Sequence, residues 1–402
     1  LGTCTALLLS ASVAFATERR VPSGYSTIQG AVDASAEGDV VLCAAGTYTE
    51  AVAATKSRVT IQGAAGAVWD GGTGASVKDC VKLTGDYNVV TGFKFKNGFD
   101  QCKLVGKYCE VRNCVSEDAG RTFCWVEGER AKASNCVSDR AKGVAVYLKG
   151  AYSTCTTVTV RDCEDVGSRV EGDDCNVRYN RYERCKKGGH HGRGNRHECH
   201  DNESYDCDEF GFKWECDSSL AYYNWAERCG SAEGGGYVLI GSDNELTYCD
   251  TYECKPHGHR WKGHRNWCYD NWSDYSEEDG FNCEGDDNDS EYNQARWCGR
   301  DGHNTRGNRN RHYECDSYDN DDDGFDCESG TDNNYRNCTG KRNGGAGCEN
   351  GGSSTDLYSC VFLYNTVDIG LDGTLGASFG TLSLNLFGSG SILTVLSIGL
   401  GL

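Results

Sequence analysis

The feature that most constrains this chain is a fixed spacing. Gly258, Gly280, Gly302 and Gly324 stand 22 residues apart, and each is followed by a second glycine: Gly263, Gly285 and Gly307 five residues on, Gly330 six residues on. A period of this length marks a solenoid, in which each repeat buries its apolar face only against its neighbours. The series runs backward through Gly236, Gly211, Gly189, Gly167, Gly143, Gly120 and Gly98 in steps of 22 to 25, and forward to Gly347. The longer steps fit loops that bulge from otherwise equal coils.

Within a coil the best-kept stretch is Gly, a ring, and then alternation closed by Gly. Gly236-Tyr237-Val238-Leu239-Ile240-Gly241 and Gly280-Phe281-Asn282-Cys283-Glu284-Gly285 are examples. This is a period-two strand between turn glycines. Twenty-two residues cannot hold a strand–helix–strand unit, which needs about 30. Three short strands and three turns fit. The expected fold is all-β, a right-handed parallel β-helix of about a dozen coils of ~22 residues, with neighbouring strands about 4.8 Å apart.

Three ladders support that register. Asn244, Asn266, Asn288 and Asn310 recur at 22, with Asp332 next; stacked amides hydrogen-bond from coil to coil. Cys163, Cys185, Cys207 and Cys229 form a second series, and Cys102/Cys124 and Cys114/Cys136 two more. They read either as disulfides or as a stack of small buried thiols, since spacing alone does not supply the torsion a disulfide needs. In the third ladder charge alternates: Asp162, Arg184, Asp206, Arg228; Glu171, Arg193, Glu215; and Lys262, Glu284, Arg306, Glu328. Opposite charges across neighbouring strands attract and like charges repel, so the alternation resists slippage by one coil.

The ends differ from the repeat. Ala6–Ala16 is apolar and ends in Ala14-Phe15-Ala16, so residues 1–16 are expected to be the remnant of an export signal. With no Met anywhere, either the N-terminus is expected to be incomplete or the sequence is not an ordinary native one. Export makes the 26 Cys permissible as disulfides. Loss of Cys4 leaves an odd number, hence at least one thiol unpaired or shared between chains. Ser26-Thr27-Ile28-Gln29 reads as a capping box with Ser26 as N-cap, opening a short helix that covers the sheet edge. The β-helix is assigned to 17–365. Residues 366–402 form an uncharged tail after Asp372, read as last strands or as an anchoring or sorting signal.

Residues 21–63 carry a family resemblance. Val21-Pro22-Ser23-Gly24-Tyr25-Ser26-Thr27-Ile28-Gln29, Ala31-Val32-Asp33-Ala34, Gly38-Asp39-Val40-Val41-Leu42, Ala45-Gly46-Thr47-Tyr48-Thr49-Glu50 and Val59-Thr60-Ile61-Gln62-Gly63 resemble the leading segment of secreted parallel β-helix proteins of the pectin-lyase-like superfamily. From 64 to 365 the likeness is one of architecture. The superfamily implies polysaccharide lyases and hydrolases, alginate epimerases, NosD-like periplasmic metal-delivery factors, and surface proteins without known activity. Fold does not choose among these.

Charge narrows the partners. A net charge of -20 argues against general nucleic-acid binding or adhesion to anionic lipid. A polysaccharide or cell-surface glycan is the expected partner, the chain a monomer, and the membrane relevant only through the tail. The compartment is expected to be extracellular, periplasmic or cell-surface.

Chemistry rests on few residues. Asp279, Asp301 and Asp323 precede the strand glycine in three successive coils, with His257 in the same slot one coil earlier. Carboxylates stacked on neighbouring strands repel unless one holds a proton or a cation sits between them, which is how an acid and a base or nucleophile are made. The plain alternative is a turn Asp before Gly. Asp319-Asn320-Asp321-Asp322-Asp323-Gly324 matches the first half of a calcium loop, giving Asp319, Asp321 and Asp323 as oxygen ligands, but the Glu six residues past the glycine is Gly330. Trp225, Trp267, Trp272 and Trp297 are of the type that stacks on sugars or packs over turns. His190, His191, His257, His259 and His264 lack diagnostic metal spacing. No HExxH, GxSxG, P-loop or dinucleotide motif occurs. The leading expectation is a non-catalytic surface that binds carbohydrate. A hydrolase or lyase of uronic-acid polymers is the alternative, and a NosD-like factor the second.

Overall fold

Each 22-residue step makes one rung of three strands, and every rung pairs in parallel with the next. The computed structural model describes residues 16–72, 78–231, 234–371, 374–375 and 383–384. The expected export signal, 1–16, lies outside the described residues except for its last position, and most of 366–402 lies outside them too. One sheet contains fifteen strands, one per coil, from Val52–Thr55 to Val367–Leu371. The other two strands of each coil join a continuous sheet of 31. The chain is therefore a parallel β-solenoid of about fifteen coils, a little longer than the glycine count suggests, because the first coils lack the glycine pair.

The pairing follows the period. Phe281–Glu284 aligns Phe281 with His303 and Cys283 with Thr305 of the next coil. Two glycine columns are needed for different reasons. Gly285 has φ +136, and a Cβ there would lie 2.0 Å from the Gly263 carbonyl oxygen. Gly280 is packed from inside: a Cβ would meet the Ala295 Cβ at 2.7 Å.

The core lies between the two sheets, and its character changes along the axis. One inward row of the fifteen-stranded sheet begins Val52, Val81, Cys102, Cys124, Val146. The same row continues as Phe212, Tyr237, His259, Phe281, His303 and Phe325. Those six rings stack at centroid distances of 5.1, 4.9, 4.7, 4.8 and 4.8 Å. The spacing is that of the strands themselves, so in-register pairing is what stacks the rings.

At the corners the Asn ladder holds. Asn266, Asn288 and Asn310 Oδ1 accept the backbone N–H of Asn244, Asn266 and Asn288 at 3.1, 2.9 and 2.9 Å. The next rung is Asn333, not Asp332, because one extra residue before Gly330 shifts the slot. A second corner carries Cys163, Cys185, Cys207, Cys229 and Cys254, then passes to Asn320, Asn343 and Asn365. All 25 described cysteines are buried with free thiols, so the small-thiol reading of the stacks holds among the described residues.

Outside the corners the charge ladder forms as ion pairs. Asp162–Arg184 closes at 2.7 Å, Asp206–Arg228 at 2.6 Å and Lys262–Glu284 at 2.7 Å. Arg306 pairs with Glu328. The corner residues Asp162, Arg184, Asp206 and Arg228 sit at φ between 50 and 54, where Asp is tolerated and Arg is unusual. The two-pronged pair with Asp holds each of these Arg side chains.

The N-terminal helix spans Ile28–Ala34 and buries Ile28, Ala31 and Val32. Its N-cap is Thr27, whose hydroxyl accepts Gly30 N–H at 3.0 Å, one residue later than the capping-box reading. Gln29 does not turn back to the cap. Glu50 accepts the first helical N–H groups, Ile28 at 2.7 Å and Gln29 at 2.9 Å, and Gln29 clasps the Ala53 backbone instead. A distant carboxylate thus replaces the local one and ties the helix to the first coil. No helix among the described residues is long and apolar enough to cross a membrane.

Candidate functional site

The glycine columns bring the four sequence-picked residues into one line. His257, Asp279, Asp301 and Asp323 are successive rungs, joined by Gly258 N–H to Asp279 O, Gly280 N–H to Asp301 O and Gly302 N–H to Asp323 O. All are buried: relative exposure is 7% for His257 and 0%, 1% and 6% for the three Asp. Asp279 Oδ2 accepts Asn282 Nδ2 at 2.7 Å and lies 3.3 Å from His257 Nδ1. Asp301 accepts Asp323 N–H at 3.1 Å and Asn304 Nδ2 at 3.2 Å. Asp323 accepts Ala346 N–H.

Burial dominates the electrostatics there. It pushes the Asp279 carboxyl up, and with Asp279 alongside it raises Asp301 to about 6. Burial also carries Asp323 and Asp326 to about 8, with Glu349 and Asp301 adding repulsion. His257 goes the other way, down to about 4, because burial disfavours its cation more than Glu278 favours it. A carboxyl that accepts backbone N–H bonds and is shut from solvent is well placed to shape a turn. It is poorly placed to touch a polymer.

The calcium half-loop is spread apart by the coil. Asp319 is held by the Arg342 guanidinium at a corner, and Asp321 is exposed. The side chain that joins Asp323 is Asp322, together with Asp301 from the coil before. The loop motif reads along the chain, whereas the coil brings residues 22 apart together, and only that period points to Asp301.

The outward row of the fifteen-stranded sheet was not legible as a site in the sequence. It runs Lys82, Lys103, Trp125, Tyr147, Arg169, His191, Lys213. It continues Val238, Arg260, Asn282, Asn304, Asp326, Glu349. Basic and aromatic side chains therefore occupy one end and amides and acids the other. Lys103 Nζ lies 4.0 Å from the Trp125 ring centroid, and Trp125 meets Tyr147 edge-on at 5.0 Å. Lys82, Lys103 and Arg169 make no ion pair among the described residues. The flanking outward row, Glu127, Lys149, Glu171, Arg193, Glu215, alternates in sign instead.

The exposed tryptophans lie elsewhere, on the other sheet and its corners. Arg296 covers Trp272 and Trp297 at 5.1 and 5.0 Å, and Tyr275 stacks on Trp297 at 4.9 Å. A depression of about 380 Å³ at the N-terminal corner is lined by Ser35, Glu37, Thr55, Lys56, Ser57, Thr84 and Gly85. One carboxylate and one amine there make no acid pair.

No protein-family model matches the chain, and no curated protein matches its sequence. Solved structures do. The catalytic unit of a thermostable GH87 α-1,3-glucanase from Streptomyces thermodiastaticus strain HF3-3 is 11% identical at TM-score 0.47, over 95% of this chain and 69% of that one. PfbA, a surface adhesin of Streptococcus pneumoniae, is 10% identical at TM-score 0.42, over 89% and 91%. The GH136 lacto-N-biosidase of Eubacterium ramulus is 11% identical at TM-score 0.38, over 73% of this chain and 64% of its own. The chain thus spans less than two thirds of the length of that enzyme. At such identities and scores no residue role passes from these proteins to this one.

Proposed function

We propose that this chain is a glycan-binding β-helix that seats a linear anionic polysaccharide on the outward row between Lys82 and Lys213. The observation that carries the reading is the row itself, in which Lys82, Lys103, Trp125, Tyr147 and Arg169 offer a cation or a ring from five successive coils to one line. Its rungs repeat at about 4.8 Å, close to the length of one pyranose unit in an extended glycan. Arg169 offers a planar fork to a carboxylate, and the rings offer apolar faces to sugar C–H groups. The net charge of -20 does not oppose this locally, since residues 78–200 hold 22 Lys and Arg against 17 Asp and Glu.

Affinity electrophoresis through polygalacturonate, alginate and a neutral glucan tests the reading. Retardation by the two anionic polymers is expected, with at least a tenfold loss of affinity in the Lys103→Ala, Arg169→Ala double variant. No retardation, or retardation by the neutral glucan alone, overturns it.

A second reading keeps the enzyme. It makes Asp279, Asp301 and Asp323, with His257, the acid and base groups of a hydrolase or lyase of uronic-acid polymers. What favours it is that Asp301 and Asp323 bring carboxylate oxygens within 4.8 Å of each other. Reducing-end release and ultraviolet absorbance of an unsaturated product, compared between the native chain and Asp301→Asn, decide it. Turnover lost in that variant supports the enzyme. No turnover in the folded native chain removes it.

A further inference from the structure

A line of touching rings crosses the larger sheet, away from the outward row of the fifteen-stranded one. It runs from Tyr179 to Tyr313, with neighbouring centroids 4.6 to 5.9 Å apart. Most of its contacts between tyrosines are edge-on. Tyr223 and Tyr248 differ: their rings are 5.1 Å apart and inclined by only 7°. Both occupy the same corner in consecutive coils, at φ 53 and 51, and Tyr223 N–H donates to Thr247 O across the step. Equal backbone conformations send the two rings the same way. They are 57% and 38% exposed.

A second observation concerns what an oxidant meets at this surface. The chain has no Met, and all 25 described thiols are buried. Exposed Tyr and Trp rings are therefore the easily oxidised side chains open to solvent among the described residues. An electron vacancy on one ring of a touching line passes to its neighbours, so it reaches Tyr223 through Tyr222 and Tyr248 through Tyr269. The other parallel tyrosine pair among the described residues is Tyr87 and Tyr108, at 4.6 Å and 1°. Arg58 and Arg130 cover those two rings, at 4.6 and 5.5 Å from the centroids. A guanidinium over a ring is attracted to its π electrons and so opposes their removal.

We infer that Tyr223 and Tyr248 form a modification site, where a peroxidase-type oxidant joins consecutive coils through a dityrosine bond. Each phenol gives up one electron and its hydroxyl proton and becomes a phenoxyl radical. The unpaired spin spreads to the ring carbons beside the C–O carbon, and one such carbon on each ring bonds to the other. Parallel rings bring these carbons face to face, whereas edge-on rings do not. The two hydrogens on the newly bonded carbons then move as protons and restore both phenols. Hydrogen peroxide takes up the two electrons and two protons, its O–O bond breaks, and two waters leave. The new bond ties the coils across the longest step of the glycine series, Gly211 to Gly236. Among the described residues no disulfide makes such a tie.

The test treats the full chain, at high dilution, with a haem peroxidase and limiting hydrogen peroxide. Dityrosine fluorescence, intact mass and peptide mapping are read together. A single chain lighter by two hydrogens is expected, with one cross-linked peptide pair that carries Tyr223 and Tyr248. Tyr248→Phe keeps the ring and is expected to lose that link and to drop the fluorescence at least fivefold. Tyr223→Phe is expected to repeat the loss, and Tyr108→Phe to cross-link as the native chain does. Absence of dityrosine in the folded native chain overturns the proposal. So do links formed only between chains, a link that survives Tyr248→Phe, or a link that maps to Tyr87 and Tyr108.

Discussion

The two halves of this solenoid share a backbone and differ in almost everything attached to it. Residues 78–200 are base-rich, and from Val52 to Val146 the inward row is Val and Cys. Residues 201–350 hold 14 Lys and Arg against 34 Asp and Glu, and there the row is a stack of six rings, two of them histidines. The register is unbroken across the change. A coil therefore demands only that an inward side chain be flat or small enough to repeat at the strand spacing. Chemistry is free to vary from rung to rung, and the outward rows show where it does.

The largest effect that sharpens this contrast is cavity formation. Phe281→Ala removes a ring stacked on both faces and is expected to cost about 4 kcal/mol, against about 3 kcal/mol for Leu104→Ala in the aliphatic half. Urea denaturation followed by tryptophan fluorescence measures both, since Trp261 lies 6.0 Å from Phe281. Equal losses would mean that the stack adds nothing beyond volume.

Next in size is acid sensitivity. Burial lowers His259 to about 3 and His303 to about 4. Below about 6.5 the unfolded chain takes up protons that these two cannot accept when folded, so stability is full above that pH and falls as pH drops toward 4. The loss at pH 4 is about 3 kcal/mol for His303. Hydrogen exchange at pH 7 and pH 4.5 or so, corrected for intrinsic rates, is expected to loosen 235–330 before 80–150. His303→Phe is expected to shrink the difference.

A smaller effect distinguishes the corner columns. Asn288→Ala strands the Asn266 N–H and is expected to cost about 2 kcal/mol. Cys175→Ala, in the same column of the base-rich half, is expected to cost about 1 kcal/mol. Smallest of all is Arg184→Glu between Asp162 and Asp206. About 0.5–1 kcal/mol is expected at low salt, fading as salt rises, because the pair is half exposed. Thermal unfolding at two ionic strengths reads it.

The sequence was most informative where one residue type repeats. The glycine columns, the Asn ladder from Asn244 to Asn310 and the alternating Asp and Arg corners all reappear as read, because a strict slot admits few side chains. It misled where a single insertion moved the slot, as at Asn333, and where a distant residue did a local one's work, as Glu50 does for the helix. The outward row was hidden for the opposite reason. Lys82, Trp125, Tyr147 and Arg169 share a slot without sharing a residue type, so no periodicity marks them. Asp322 was passed over because a linear motif weighs neighbours along the chain, whereas the cluster is assembled across coils.

The alternating corner charges have a consequence for how such a chain lengthens. From Asp162 to Arg228 the sign repeats only every second coil. Duplicating one coil within that stretch would set Asp on Asp or Arg on Arg at the new junction, while duplicating two restores every pair. Within this stretch, the unit whose duplication keeps every ion pair is thus a pair of coils.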